Sequence, residues 1–434
     1  MTLPTAPTPA GHVGVARLPL VSRTVAVDVA DLPADLLDLL PAERGTAWIR
    51  RGDGLVAWGE LLRIETRGTG RMREAAAQWR RLVEHAVVRD EVRVPGTGPV
   101  AFGSFSFAPA SAAGGALVVP RVVVGRRGPV AWVTTLAEGG VAPVPELASQ
   151  PAPRSPGRVE LVDGALDAAR WQLAVAEAVG RIRAGDLDKV VLAREVLART
   201  AEPLDVRWAL HRLAADYQAC WTFAVDGLLG ATPELLLRSE KGLVTSRVLA
   251  GTIRRTGDDD ADLAHAALLA HSSKDLEEHE YAVTSLSEAL APFCSSTNVP
   301  ETPFVLHLPN VLHLATDVTG VLTADADGAH PSSLLLADAL HPTAAVAGTP
   351  TAVACEVIEQ LEGMDRGRYA APVGWMGADG DGEWALALRS AELGADPRRL
   401  RLFAGCGIVA ASDPAAELAE SEAKLEPMRH ALRD

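Results

Sequence analysis

The sequence predicts an α/β protein of the α+β kind, with large, mainly antiparallel sheets flanked by helices. Three observations predict it. The first third alternates short apolar segments with Gly/Pro turns. The remainder mixes β-branched strands with segments of helical period. A Gly/Asp hairpin, Asp379-Gly380-Asp381-Gly382, joins two further apolar runs. With 434 residues, the chain can bury one large core or two ordinary ones.

Composition narrows the function. A formal net charge of −15 argues against nucleic acid or an anionic membrane as partner, so an anionic ligand needs a positive pocket built locally. Hydrophobic residues make up 48%, yet no apolar run is long enough to cross a bilayer. Met1 to Ala10 is a Pro/Thr-rich tail without a basic-then-apolar signal, and 1–24 as a whole reads as a disordered tail. The expectation is a soluble, cytoplasmic protein. Cys220, Cys294, Cys355 and Cys406 are scattered with no CxxC pair, which points to free thiols rather than a disulfide framework or a zinc site.

From Val25 to about Arg154 the apolar segments Ala47–Ile49, Leu55–Trp58, Val100–Phe107 and Ala116–Val124 read as antiparallel strands, interrupted by a helix over Met72–Val88. Gly139–Gly157, rich in proline and small residues, is either a linker or a long surface loop. The chain thus divides into a sheet-rich part, 25–160, and a chemistry-bearing part, 161–434. No repeat at a fixed period is present.

Leu166–Arg183 is helical, with Trp171, Val175, Val179 and Ile182 on one face, and Gly185-Asp186 ends it. Asp188–Val196 reads as a strand that turns Lys189, Val191, Ala193 and Glu195 to one side. Lys189 has two readings: an edge lysine whose head reaches water, or an amine at a cavity wall whose desolvation makes it a base. After the strand pair Trp221–Val225 and Leu228–Leu229 comes Pro233-Glu234-Leu235-Leu236-Leu237-Arg238. Among leucines the Glu234 carboxyl is poorly solvated and suits a general acid, unless it pairs with Arg238 or another cation. Val248–Thr252 is a strand running into Gly251, where backbone can approach a ligand closely.

Asp258–Pro292 holds one or two helices, with Asp275 and Glu278 on one face at i, i+3. Val311–Thr316 is strand-like and carries His313 and Thr316; most such histidines are satisfied core residues. Leu340–Gly348 is a small-residue turn into a helix, Pro350–Leu361. Tyr369–Trp375 and Glu383–Ala391 form the hairpin strands, the second carrying Arg389 either for a bidentate carboxylate contact or for a buried ion pair. Arg401–Phe403 leads into a glycine turn, Ala404-Gly405-Cys406-Gly407, and Asp413-Pro414 then caps a helix placing Glu417, Glu420 and Lys424 on one face. Two helical carboxylate pairs, Asp275/Glu278 and Glu417/Glu420, read either as solvated charged faces or as an oxygen cage for one hard divalent cation.

Taken in order, Lys189-Val190-Val191-Leu192, Pro233-Glu234-Leu235-Leu236, Leu249-Ala250-Gly251-Thr252, Lys274-Asp275-x-x-Glu278-His279, His313-Leu314-x-Thr316, His341-Pro342-Thr343, Pro372-Val373-Gly374-Trp375, Ala404-Gly405-Cys406-Gly407 and Glu417-x-x-Glu420-x-x-x-Lys424 resemble the chorismate-utilising enzymes, isochorismate synthases above all. The likeness covers roughly Leu166 to the C-terminus. It implies one large α/β domain, which makes Gly139–Gly157 a surface loop. It implies Lys189 as the base that activates water for attack at C2 of chorismate, and Glu234 as the acid that protonates the leaving C4 hydroxyl. Glu278 and Glu420 match Mg²⁺ ligands, with Asp275 and Glu417 close by. Arg389, Tyr369, Lys424, Gly405 and Gly407 match contacts to the substrate carboxylates, and Gly251, His313 and Thr316 match cleft positions.

Aminating relatives carry a Pro-Ala-Gly-Thr-like stretch where this chain has His341-Pro342-Thr343, and the tryptophan-sensing Leu-Leu-Glu-Ser element of anthranilate synthases is not evident here. Water is therefore the expected nucleophile, with no obligatory glutaminase subunit, a monomeric chain, and a product feeding menaquinone or siderophore synthesis. Ala344, Ala347 and Cys406 depart from the proline, glycine and alanine usual at those positions. A salicylate synthase, adding pyruvate elimination, and a catalytically silent chorismate-binding subunit are the alternatives.

Overall fold

The computed structural model describes residues 18–434. Its strands are hydrogen-bonded into one continuous network. One run of antiparallel pairings leads from Lys189–Thr200 through Arg399–Ile408, Ser390–Leu393, Leu228–Thr232, Trp221–Val225 and Thr46–Arg50 to Asp53–Thr66. It continues through Gly115–Arg127, Val100–Phe105, Pro372–Gly377, Gly382–Leu386, Leu235–Glu240 and Leu243–Arg254 to Val311–Leu322. Among the described residues only Leu20–Val27 and Val87–Asp90 pair in parallel. Antiparallel pairing needs no crossover helix, which leaves the helices free to flank the sheet.

Strands from both parts of the sequence are interleaved: Thr46–Arg50 lies beside Trp221–Val225, and Val100–Phe105 beside Pro372–Gly377. A shared core follows, with Phe105 and Trp384 rings 5.9 Å apart. The segment after strand Val130–Glu138 is pinned to this body. Gln150 N donates to Asp38 O at 2.7 Å and an Arg207 Nη1 donates to Pro151 O at 2.9 Å. It is a surface loop of a single domain, and no helix among the described residues is long and apolar enough to cross a membrane.

Helix Ala168–Ala184 shows how local sequence sets an element. Asp167 accepts from Arg170 N at the start, and Gly185, at φ 86°, closes the end. Its fully buried Trp171 donates from the indole N–H to Ala193 O at 3.2 Å, locking the helix onto the Lys189 strand. Burying a tryptophan of roughly 200 Å² contributes on the order of 5 kcal/mol.

Several expectations are corrected. Of the expected tail, positions up to 17 lie outside the described residues, and from Leu20 the chain is already strand. The first helix is Arg71–Val83, not Met72–Val88, because the β-branched Val87 and Val88 pair with Val21 and Ser22 instead. Asp258–Pro292, expected as one or two helices, is indeed two, Asp259–His271 and Ser273–Leu290, divided at the extended Ser272 that caps the second. Helix Ser333–Leu340 was not anticipated. Tyr369 precedes the hairpin, and Arg389 sits between strands Gly382–Leu386 and Ser390–Leu393 with φ 50°. The glycine-rich stretch Ala404–Gly407 is not a turn but part of strand Arg399–Ile408, with Gly405 opposite Ala193 and Gly407 opposite Val191.

Candidate active site

A cleft of about 560 Å³, including its open mouth, is lined by Glu234, Gly251, Glu278, His313, Tyr369, Arg389, Gly405, Gly407 and Lys424. All nine are residues expected from the sequence. Apart from Gly405 and Gly407, which share a strand, each comes from a different stretch of chain, and the fold brings them together.

Lys189 opens its strand and is fully buried, which excludes the edge-lysine reading. It lies one step behind the cleft wall, with Nζ 3.3 Å from Glu278 Oε1 and 3.4 Å from Glu278 O. Burial lowers its pKa, opposed by Glu278 and Glu234. Gly407 faces this pair. A Cβ there would sit 2.0 Å from Glu278 Oε1 and 3.2 Å from Lys189 Cε, so the glycine supplies room rather than free N–H groups.

Glu234 occupies the turn between strands Leu228–Thr232 and Leu235–Glu240. Arg238 does not reach it, pairing instead with Glu383 at 2.7 Å. Burial pushes the Glu234 carboxyl up to about 8, only partly offset by Lys189, Arg389 and the Leu249 N–H. It is therefore protonated at neutral pH. Gly251 forms a bulge at φ 78° in strand Leu243–Arg254, where a Cβ would lie 2.9 Å from that of Asp275.

Arg389 is buried and pairs with no carboxylate among the described residues, so the buried-ion-pair reading is replaced by a cation open to the cleft. Its Nη2 donates to His313 Nε2 at 3.0 Å, and His313 Nδ1 meets Thr252 Oγ1 at 3.0 Å. A guanidinium only donates, so His313 carries its proton on Nδ1. Burial and Arg389 hold its pKa well below the usual value, keeping the ring neutral. Thr316, expected at the cleft, lies behind it and bonds His279 Nε2 at 2.8 Å. His279, also neutral with a pKa near 4 from burial, reaches Ala250 O through Nδ1 at 3.2 Å. This pair braces the Gly251 bulge.

Opposite, Tyr369 stacks on Phe403 at 5.0 Å, and burial pushes its hydroxyl up to about 12. Lys424 Nζ donates to Gly405 O at 3.0 Å and pairs with Glu420 at 2.6 Å. Burial lowers its pKa, but Glu420 outweighs that and holds it protonated. Ligand atoms of Cys406, Glu417 and Glu420 lie within 4.8 Å of one another. The buried thiol of Cys406 is raised well above its ordinary value and stays protonated, leaving carboxylate oxygens as the donors.

Lys274, given no role by the sequence reasoning, projects toward the same acidic groups. Its Nζ lies 2.8 Å from Glu417 Oε1, and the fields of Glu278 and Glu420 add to that of Glu417 in holding its proton. An ammonium thus stands where the donor set calls for a cation. Of the expected ligands, Asp275 and Glu278 stand outside this cluster: the Asp275 carboxylate is engaged by the Ser272 hydroxyl, and Glu278 Oε1 lies 3.3 Å from Lys189 Nζ. Thr252 and His279 were also passed over as site residues. Their signal was the neighbouring glycine, which marks a bulge that something must support.

Fold and site together define a chorismate-binding enzyme, and the chain belongs to that family: the family model so described matches residues 19–433. Its relatives include isochorismate synthases. The chain is 33% identical to isochorismate synthase MenF of Bacillus subtilis over 399 residues, covering 86% of this chain and 83% of the relative. It is 36% identical to the salicylate biosynthesis isochorismate synthase of Pseudomonas aeruginosa over 403 residues, covering 87% and 82%. Among solved structures, the menaquinone-specific isochorismate synthase MenF of Escherichia coli superposes with a TM-score of 0.78 at 25% identity, over 96% of each chain.

Proposed function

We propose that this chain is an isochorismate synthase, interconverting chorismate and isochorismate. Lys189 takes a proton from water as its oxygen bonds to C2 of the ring. The ring double bonds shift, the C4–O bond breaks, and Glu234 gives its proton to the departing hydroxyl, which leaves as water. One water enters and one leaves, so the product is an isomer. Arg389 receives a carboxylate of the substrate, with Tyr369 and Lys424 on the facing wall.

The observation that carries this reading is the opposed tuning of two dry groups whose charges act on each other. Burial lowers the lysine's pKa and raises the carboxyl's to about 8, so each group is shifted toward the protonation state that a base and an acid need.

Mg²⁺ fits the donor set, because Glu417 and Glu420 converge oxygens and Lys274 already marks a place for positive charge. Glu278 and Glu420 would hold the ion, with Glu417 and Asp275 close to it. The ion would neutralise the ring carboxylate and fix its orientation. Chorismate is the substrate, and no obligatory glutaminase subunit is expected.

A chromatographic product assay tests the proposal: chorismate and Mg²⁺ with the purified chain, with and without ammonium, and with EDTA as control. The expected result is isochorismate, formed regardless of ammonium and lost with EDTA. Salicylate with pyruvate would assign a salicylate synthase, and no turnover would assign a silent subunit.

A further inference from the structure

Lys189 and Glu234 stand on separate segments, and one buried side chain spans the structure between them. His279 follows Glu278 on helix Ser273–Leu290, where adjacent side chains diverge by about 100°. Glu278 is aimed at Lys189, with Oε1 3.3 Å from Nζ, while His279 is aimed at strand Leu243–Arg254. Asp275, one turn before His279 on the same face, has its Cβ 2.9 Å from where a Cβ of Gly251 would stand. The helix that contacts the base therefore lies directly against the Gly251 bulge.

The two ring nitrogens have fixed roles. A carbonyl only accepts, so Nδ1 of the neutral ring carries the proton to Ala250 O at 3.2 Å. Nε2 then accepts from the Thr316 hydroxyl at 2.8 Å, and that bond sets the tautomer. Ala250 is the last residue in register with strand Val311–Leu322 before the bulge. Just before it, the Leu249 N–H meets the Glu234 carboxyl. Just after the bulge, Thr252 Oγ1 meets His313 Nδ1 at 3.0 Å, and His313 holds Arg389. Leu249, Ala250, Gly251 and Thr252 all line the cleft, whereas the His279 ring does not. A glycine at φ 78° is free to move unless its neighbours are held, and the Ala250 carbonyl is where His279 holds them.

We infer that His279 is a positioning residue for the isomerisation, an assignment that rests on reading this cleft as that of an isochorismate synthase. Through Ala250 O it holds the Glu234 carboxyl at a fixed place relative to the Lys189 amine, and Thr316 keeps the ring in the tautomer that can do so. Acid and base act on one substrate ring, at C4 and at C2, so their spacing has to match it. A misplacement of about 1 Å costs on the order of a hundredfold in rate. His279 touches neither substrate nor reacting atoms; its effect passes through backbone.

Chorismate turnover between pH 6 and pH 10, with thermal unfolding of each variant, tests this. His279→Ala is expected to lower kcat about a hundredfold and to leave KM within about threefold, because Arg389 keeps its bond to His313 on the neighbouring strand. The alkaline fall of kcat/KM, set by Glu234, should move to higher pH, since the Leu249 N–H no longer favours the carboxylate. His279→Asn, whose amide N–H can take the place of Nδ1–H, should recover at least about tenfold of the loss. Thr316→Val should lower kcat about tenfold, and Thr316→Ser, which keeps the hydroxyl, should stay within about threefold of wild type. The double variant His279→Ala/Thr316→Val should be no slower than His279→Ala alone. Near-normal kcat in His279→Ala and Thr316→Val overturns the inference. A lowered kcat with the alkaline fall unmoved also overturns it, since His279 then only packs. Where His279→Ala does not fold, Thr316→Val decides by the same two readouts. A wild-type chain that leaves chorismate unchanged overturns the isochorismate synthase reading itself, and the role of His279 with it.

Discussion

Arg389 Nη2 lies 3.0 Å from His313 Nε2, so an imidazole rather than a carboxylate holds this buried guanidinium. The charge is positioned but not neutralised, which leaves it for a substrate carboxylate. Arg389→Ala should raise the KM for chorismate by roughly ten- to a hundredfold, since a charge-assisted bidentate contact is lost. Arg389→Lys should recover only part of this, because the fork is gone. Steady-state kinetics and equilibrium binding of chorismate measure both.

Glu234→Gln should remove the acid and abolish isomerisation while making the protein more stable at alkaline pH. The carboxyl titrates at about 8 in the folded chain against an ordinary 4.5. Between those values the unfolded chain has already released the proton that the folded chain keeps, so stability falls as pH rises across the window. The glutamine variant escapes that loss, on the order of a few kcal/mol by pH 9. Denaturant unfolding at pH 5 and pH 9 reads the difference. In the wild type the same titration should bring kcat/KM down above about pH 8.

Lys189→Ala should abolish water addition. Chorismate binding should survive, because the substrate carboxylates are met elsewhere, at Arg389. Direct calorimetric titration with chorismate separates binding from turnover, and near-normal turnover would remove Lys189 from the role of base.

Lys274 and Glu420 should act on metal affinity in opposite directions. Lys274→Gln removes a cation 2.8 Å from Glu417 and should tighten Mn²⁺ binding about three- to tenfold without substrate. Glu420→Gln removes an oxygen donor and should weaken it at least about tenfold. Mn²⁺ titration followed by electron paramagnetic resonance reports affinity independently of catalysis.

Gly407→Ala should fold normally and lose activity. Its backbone is ordinary strand, and the group a Cβ meets first is the end of a flexible side chain, Glu278 Oε1 at 2.0 Å. Glu278 moves, and with it the contact to Lys189. Unchanged thermal unfolding together with at least a hundredfold loss of kcat is the expected pair of results.

Most of the strands and the residues lining the catalytic cleft were legible because each sits in a short motif with its own local reason. Asp413-Pro414 capping, the β-branched run after Lys189 and the leucines around Glu234 all express nearest-neighbour chemistry. What escaped depends on distant chain. The glycines at 405 and 407 read locally as a turn, yet they are strand because Ala193 and Val191 pair with them. Val87 and Val88 left their expected helix for a partner at Val21 and Ser22. Arg389 was placed in a strand, since nothing local announces its left-handed backbone. Thr316 was expected at the cleft wall because the resemblance matches it there together with His313; three residues further along the strand it faces the other way, onto His279.

The pairing of Lys189–Thr200 with Arg399–Ile408 has a consequence for how the protein is made. Lys189, Glu234 and Arg389, the proposed base, acid and anion-binding group, lie on segments far apart in sequence, and helix Pro414–Leu432 brings Glu417, Glu420 and Lys424 only when it docks. Such non-local closures form late and slowly. No nascent or truncated chain lacking that helix holds a finished cleft, so the onset of turnover during refolding is a clock for the last cooperative step.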